Sequence, residues 1–201
     1  LWHIMKSYSH YGINDFVICC GYKSEIIQNY VKTLNEKWNV NAVDTGLQTM
    51  TGGRLLQVRR YVDDRTFCFT YGDGLSDINI SNLINFHNKK NTLATVTAVQ
   101  PPGRFGVLNI QNETVVNFNE KILGDGGWIS GGYFVLEPEV LDYIKNDKTI
   151  WEREPLEKLA KEGNLSAYRH KEFWHPMDTL WDKNYLEGLW KENNAPWKIW
   201  Q

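Results

Sequence analysis

The sequence predicts an α/β fold: an open, mostly parallel, Rossmann-like sheet flanked by helices. Three observations predict it. Short helical patterns alternate with apolar runs of strand length, the order of βαβ units joined by right-handed crossovers. Two of those runs, Phe16-Val17-Ile18-Cys19-Cys20 and Thr66-Phe67-Cys68-Phe69-Thr70-Tyr71, are continuous, as in strands buried on both faces, and each stops at a glycine. The 201 residues are 42% apolar and 23% charged, ordinary globular values that exclude disordered and fibrous classes.

Taken in order, Leu1, Ile4, Met5 and Tyr8 fall on one helix face, and Gly12 ends that helix. The run 16–20 is the first strand, 24–33 a helix and 38–43 a strand. Thr51 or Gly52 opens a helix through Val62, with Leu55, Val58 and Val62 on one side. The strand 66–71 ends at Gly72-Asp73-Gly74. A helix over 79–88, with Ser81 as candidate N-cap, precedes a β-rich stretch at 92–99. Residues 105–110 and 114–119 predict a hairpin around Gln111-Asn112-Glu113, and 128–136 a glycine-interrupted strand. Helices at 138–145 and 155–162 carry proline in the first turn. A short strand at 165–170 leads to a helix at 180–192, in which Trp181, Tyr185 and Leu189 step by four, as do Leu186 and Trp190. An aromatic tail starts at Pro196-Trp197. No repeat, low-complexity segment or linker divides the chain, which reads as one domain.

Net charge is −2 from 22 basic and 24 acidic residues. That removes the basic face a nucleic-acid or anionic-membrane binder needs. No apolar run has the length of a spanning helix. Cys19, Cys20 and Cys68 are few, odd in number and set in apolar strands, which points to buried free thiols in a reducing cytosol. His3, His10, His87, His170 and His175 show no metal-ligand spacing.

Four constellations can carry chemistry. In Thr70-Tyr71-Gly72-Asp73-Gly74 a carboxylate sits where a buried strand meets a glycine turn, at the carboxyl edge of the sheet where ligands of open α/β folds bind. Such an Asp suits Mg²⁺, although turn Asp residues are common. Asp44-Thr45-Gly46 precedes Thr51-Gly52-Gly53-Arg54, where glycine N–H groups at a helix start and a guanidinium fork can hold a nucleobase or phosphate. The bland alternative is a glycine turn with a solvated Arg. Glu120-Lys121, followed by Ser130-Gly131-Gly132-Tyr133, can grip sugar hydroxyls and a phosphate, or can be an exposed ion pair and a β-bulge. Asp178, in Pro176-Met177-Asp178-Thr179-Leu180, is either a helix cap or a second metal ligand across about a hundred residues from Asp73.

In their order along nearly the whole chain, these pieces resemble the sugar-1-phosphate nucleotidyltransferases, and most closely their glucose-specific cytidylyltransferase branch. The helix Leu1-Trp2-His3-Ile4-Met5-Lys6, the turn Cys20-Gly21-Tyr22-Lys23, Val43-Asp44-Thr45-Gly46, Met50-Thr51-Gly52-Gly53-Arg54, Tyr71-Gly72-Asp73-Gly74, Pro101-Pro102-Gly103-Arg104-Phe105-Gly106, Ser130-Gly131-Gly132-Tyr133-Phe134 and Pro176-Met177-Asp178-Thr179 carry the likeness. Glu120-Lys121-Ile122 departs from it, since the family more often has Pro after the Lys. The stretch between Tyr30 and Trp38 is shorter than the family's. The family's first strand, glycine-rich loop and catalytic Lys do not occur before Leu1, so a longer natural polypeptide is expected.

The resemblance implies a nucleotide-binding half over about 1–100 and a sugar-binding and C-terminal part over about 101–201. It implies transfer of the cytidylyl group of CTP to α-D-glucose 1-phosphate, giving CDP-glucose and pyrophosphate with Mg²⁺. It assigns Asp73 and Asp178 to the metal, and Thr45, Gly52, Gly53, Arg54 and Gly72 to the nucleotide. Glu120, Lys121, Gly131 and Gly132 go to the sugar phosphate, with Asp73, Asp178 and Lys121 catalytic. It further implies a cytoplasmic homo-oligomer that serves surface-polysaccharide synthesis. A thymidylyl- or uridylyltransferase, a glycosyltransferase and a non-catalytic sugar-nucleotide-binding module remain alternatives, the last favoured if the protein truly starts at Leu1.

Overall fold

The computed structural model describes residues 1–62, 64–101, 107–119 and 127–200. Helix α1 (Trp2–His10) leads into β1 (Asp15–Cys20), with Gly12 at φ +83° turning the chain. Helix α2 (Ser24–Thr33) crosses to β2 (Asn39–Asp44), which pairs in parallel with β1 from Asp15↔Asn39 to Cys20↔Asp44. This is the predicted βαβ unit. β1 is half-exposed over most of its length, not buried on both faces, because among the described residues β2 is its only strand neighbour.

The predicted helix over 51–62 is broken. Helix α3 (Thr51–Gln57) and the single turn α4 (Arg59–Val62) are separated at Val58, whose φ −96° and ψ 7° leave the helical region. β3 (Phe67–Thr70) and the short β4 (Gly74–Ser76) follow, then α5 (Ile80–Lys90). Its N-cap is Asn79, not Ser81: the Asn79 side chain accepts from the Asn82 N–H at 2.9 Å, one residue ahead of the apolar periodicity. β5 (Ala94–Val99) precedes the predicted hairpin of β6 (Val107–Gln111) and β7 (Thr114–Asn119). Asn112 and Glu113 take φ 46° and 63°, the left-handed pair of a tight hairpin turn.

β8 (Ile129–Leu136) re-enters the sheet. The stretch Pro138–Tyr143 is a 3-10 helix and not the α-helix its proline predicts. After α6 (Glu154–Lys161) come β9 (Leu165–Arg169), β10 (Trp174–Pro176) and α7 (Leu180–Lys191).

The central sheet has the order β3-β8-β5-β9. β8 is antiparallel to both β3 and β5, while β5 and β9 are parallel, so three of the four strands share one direction. β8 is reversed because a hairpin, rather than a crossover helix, lies between it and β5.

Its side chains alternate between two cores. Phe134 and Leu136 pack with Leu55, Leu141, Trp151 and Leu159 on one side; Tyr133 and Val135 pack with Ile4, Tyr8, Ile80 and Leu83 on the other. Two helix layers therefore sandwich the sheet. A third cluster joins Leu186, Ala195 and Trp197, so the aromatic tail covers its own chain. The Trp197 indole N–H reaches His3 Nδ1 at 3.3 Å, and Trp2, Trp190 and Trp200 close around the same imidazole. The predicted Trp181–Tyr185 stripe faces outward, its rings stacked 5.4 Å apart. No described helix is long and apolar enough to cross a membrane.

Candidate active site

The site starts where β3 ends. The Thr70 hydroxyl is hydrogen-bonded to that of Tyr8, and the Tyr71 N–H donates to the Gly132 carbonyl at 3.0 Å. Gly72 and Asp73 then emerge into solvent, and a side chain at Gly72 would meet nothing, so a ligand has open approach there.

β4 turns the chain against β10 in the register Gly74↔Pro176, Leu75↔His175 and Ser76↔Trp174. The Met177 N–H extends that ladder by donating to the Asp73 carbonyl at 2.8 Å. Asp178 is the next residue, so two carboxylates a hundred positions apart in sequence arrive at one end of one strand pair. Both are exposed, and among the described residues neither accepts a hydrogen bond or forms an ion pair.

Asp178 is not the helix cap. Thr179 is, in a capping box with Asp182, whose carboxylate accepts from the Thr179 N–H at 2.9 Å and the Thr179 hydroxyl at 2.7 Å. His175 Nε2 lies 2.9 Å from the other Asp182 oxygen. The Thr179 hydrogen bond foremost, and His175 after it, hold the Asp182 carboxyl below its ordinary value despite its burial.

Two uncommitted carboxylates fit Mg²⁺, which keeps several waters and takes its remaining ligands from substrate phosphates. They do not make a closed protein cage: among the described residues no group of three or more His, Cys, Asp or Glu is placed to hold a metal.

The second corner lies at the carboxyl end of β1. Thr45 is 1% exposed, and both its N–H and its hydroxyl donate to the Cys20 carbonyl, at 2.9 and 2.8 Å. Arg54 Nη1 donates to that same carbonyl at 2.9 Å and to Thr45 Oγ1 at 2.5 Å. Thr45 and Arg54 are thus brought together as expected. Asp44 holds the turn between them, accepting from the Gly46 N–H at 2.9 Å and the Ser24 hydroxyl at 3.2 Å.

The free N–H groups expected of Gly52 and Gly53 are not there. Both donate to the Thr149 carbonyl, at 3.0 and 3.2 Å. A Cβ on Gly53 would stand 2.5 Å from the Asp147 backbone, and one on Gly52 2.8 Å from the Thr149 oxygen. These glycines let α3 press against the loop before α6, and their N–H groups are engaged there rather than free for a nucleotide.

A similar correction applies to Gly131 and Gly132, both buried. The Gly131 carbonyl accepts from the Trp174 indole at 2.8 Å, and the Gly132 N–H donates to Ser130 Oγ at 3.3 Å. Gly132 has φ +74°, and a Cβ there would lie 2.7 Å from the Tyr71 ring. The pairing of β8 with β5 slips between Val96↔Phe134 and Ala98↔Ser130, so the two glycines lie in a bulge of β8 itself. Packing against Tyr71 and Trp174 accounts for the missing side chains, and the Gly132 carbonyl accepts from the Tyr71 N–H. Glu120, Lys121 and the 102–106 stretch lie outside the described residues.

Glu152 joins the two corners and has no signal in sequence. One of its oxygens accepts from the Thr51 hydroxyl at 2.7 Å, the other from the Tyr71 phenol. Burial first, and Glu152 next, push the Tyr71 hydroxyl well above its ordinary value. Burial raises the Cys19 thiol to about 11 and Cys68 to about 12; the three cysteines are free, though only Cys20 is fully buried. His87, His170 and His175 pair with Glu137, Asp77 and Asp182.

Comparison with known proteins identifies the family. The family model described as nucleotidyl transferase matches residues 1–185. The chain is 51% identical over 224 residues to the glucose-1-phosphate cytidylyltransferase of Salmonella typhi, covering 100% of this chain and 87% of that one. It is 42% identical over the same span to the probable glucose-1-phosphate cytidylyltransferase of Bacillus subtilis, with the same coverage. Among solved structures, HddC from Yersinia pseudotuberculosis shares the fold at a TM-score of 0.67 and 20% identity, over 92% of this chain and 82% of that one. A UDP-glucose pyrophosphorylase does so at 0.70 and 13%, over 95% and 86%. With a family model spanning most of its length and relatives this similar end to end, the chain belongs to the nucleotidyl transferase family.

Proposed function

We infer that the protein transfers the cytidylyl group of CTP to α-D-glucose 1-phosphate, releasing CDP-glucose and pyrophosphate. The observation that carries the chemistry is the pair of uncommitted carboxylates, Asp73 and Asp178, at one end of the β4–β10 ladder. The identity of the substrates rests on the relatives that share half of their residues with this chain.

Both substrates are polyanions. Two unit charges at 4 Å repel by about 1 kcal/mol in water and by several times that in a drier site. The protein's task is alignment and charge neutralisation for in-line attack of the sugar phosphate on the α-phosphorus, with no covalent nucleophile. Asp73 and Asp178 would hold Mg²⁺, which when bound supplies positive charge at the phosphates. Arg54, braced by Thr45 and the Cys20 carbonyl, offers its remaining N–H groups to the cytosine edge. Gly72 leaves room for the nucleotide beside Asp73. Glu120 would bind glucose hydroxyls and Lys121 the sugar phosphate. A cytoplasmic homo-oligomer whose product feeds polysaccharide synthesis completes the reading.

Pyrophosphate release from CTP, glucose 1-phosphate and Mg²⁺ tests it. Release well above background is expected, and its absence refutes the reading. Asp73→Ala and Asp178→Ala should each lower kcat by at least about a hundredfold, the scale of removing a charge-stabilising group. Near-normal turnover in either would remove that residue from the metal site.

A further inference from the structure

The guanidinium of Arg54 lies across the residue that follows β1. A Cβ built on Gly21 would stand 2.6 Å from Arg54 Nη2, 2.8 Å from Nη1 and 3.0 Å from Cζ. Contacting heavy atoms ordinarily keep about 3.5–4.0 Å. Glycine is not demanded there by backbone conformation, because the left-handed glycines among the described residues are Gly12, Gly46, Gly132 and Gly163. The Gly21 backbone is fixed as well: its carbonyl accepts from the Ser24 N–H at 3.1 Å, at the start of α2. The three atoms nearest to where a Gly21 side chain would stand all belong to the end of the Arg54 side chain. Arg54 uses Nη1 for both of its protein contacts, while Nη2 and Nε donate to no described group.

We infer that Gly21 is a positioning residue for nucleotide selection: its missing side chain lets the Arg54 guanidinium lie flat on the end of β1, with Nη1 anchored and its other donors presented to the base. The inference rests on the reading that Arg54 contacts the base. A methyl group at Gly21 would displace the guanidinium from the Cys20 carbonyl and Thr45. It would do so without unfolding the chain, because the far end of a flexible side chain moves more readily than backbone.

The test is a cycle of wild type, Gly21→Ala, Arg54→Ala and the double variant. KM and kcat are measured for CTP and UTP, and the thermal midpoint for each protein. Arg54→Ala should lower the preference for CTP over UTP by about tenfold, the scale of one charged hydrogen bond. Gly21→Ala should match that loss within about threefold, act mainly through the KM for CTP, and leave the midpoint within about 2 °C. In the double variant Gly21→Ala should add nothing. Wild-type preference in Gly21→Ala, with the preference lost in Arg54→Ala, overturns the inference and leaves the base-reading role standing. A further tenfold loss in the double variant also overturns it, since Gly21 would then act without Arg54. Wild-type preference in Arg54→Ala itself removes the base-reading role, and the inference with it.

Discussion

Asp178 and Asp182 lie one helical turn apart and have opposite fates. Asp182 is consumed by Thr179 and His175, whereas Asp178 has no hydrogen-bond or ion-pair partner among the described residues. Thr179-Leu180-Trp181-Asp182 has the spacing of a capping box, one residue beyond Asp178, where the sequence offered the cap. The glycines of β8 were legible as a close approach, whereas Gly52 and Gly53 read as free N–H donors and Gly21 as a turn. Gly52 and Gly53 meet a loop backbone, Gly132 meets Tyr71, and Gly21 meets Arg54.

Buried titrating residues belong to this scale too. His170 Nε2 lies 3.0 Å from Asp77 Oδ1, and its Nδ1 3.2 Å from Glu172 Oε2. Burial pulls its affinity for a proton down, yet Asp77 and the Phe173 carbonyl outweigh it and leave the pKa above the ordinary value. The folded state therefore prefers the protonated ring. That stability is complete below about pH 6.5, the unfolded value, and is lost as pH rises through the higher folded value. The gap in thermal midpoint between wild type and His170→Gln should be larger at about pH 6 than at about pH 8.5, and a gap that grows with pH would contradict it.

At the scale of elements, the strands and helices with clear periodicity were legible, and those fixed by distant contacts were not. β4 and β10 are three residues each, too short for any pattern, and exist because a segment at 174–176 supplies the partner for 74–76. The break at Val58 likewise leaves no mark on the apolar periodicity of 51–62. Helix α3 is set by its docking on the loop before α6: Gly52 and Gly53 bond Thr149, the Trp151 N–H donates to Thr51 Oγ1 at 3.0 Å, and the Gln57 amide reaches Asp147 at 3.0 Å. Gly53→Ala would force backbone apart from backbone, and a loss of about 1–3 kcal/mol in urea unfolding is expected. Because α3 carries Arg54, the KM for CTP should rise in the same variant. An unchanged urea midpoint would show that the loop, and not the helix, yields.

For the whole molecule, the α/β class and the flanking helices followed from the alternation of patterns, and the reversed β8 did not, since strand direction depends on where the preceding hairpin returns the chain. The outward stripe on α7 is also a whole-molecule matter: Leu180 is 70% and Trp181 67% exposed, with Met177 and Tyr185 beside them. Apolar clusters of this kind mark interaction surfaces, which supports the proposed homo-oligomer. Light scattering should give a multiple of the 23.4 kDa chain mass, and Trp181→Glu should shift it toward a single chain; a single-chain mass for the wild type would refute the assembly. A different kind of constraint falls on β8. It hands Tyr133 and Val135 to one helix layer and Phe134 and Leu136 to the other. A single residue inserted or deleted within Tyr133–Leu136, where the ladder with β3 is regular, would deliver each layer the side chains shaped for its opposite, spoiling two interiors at once.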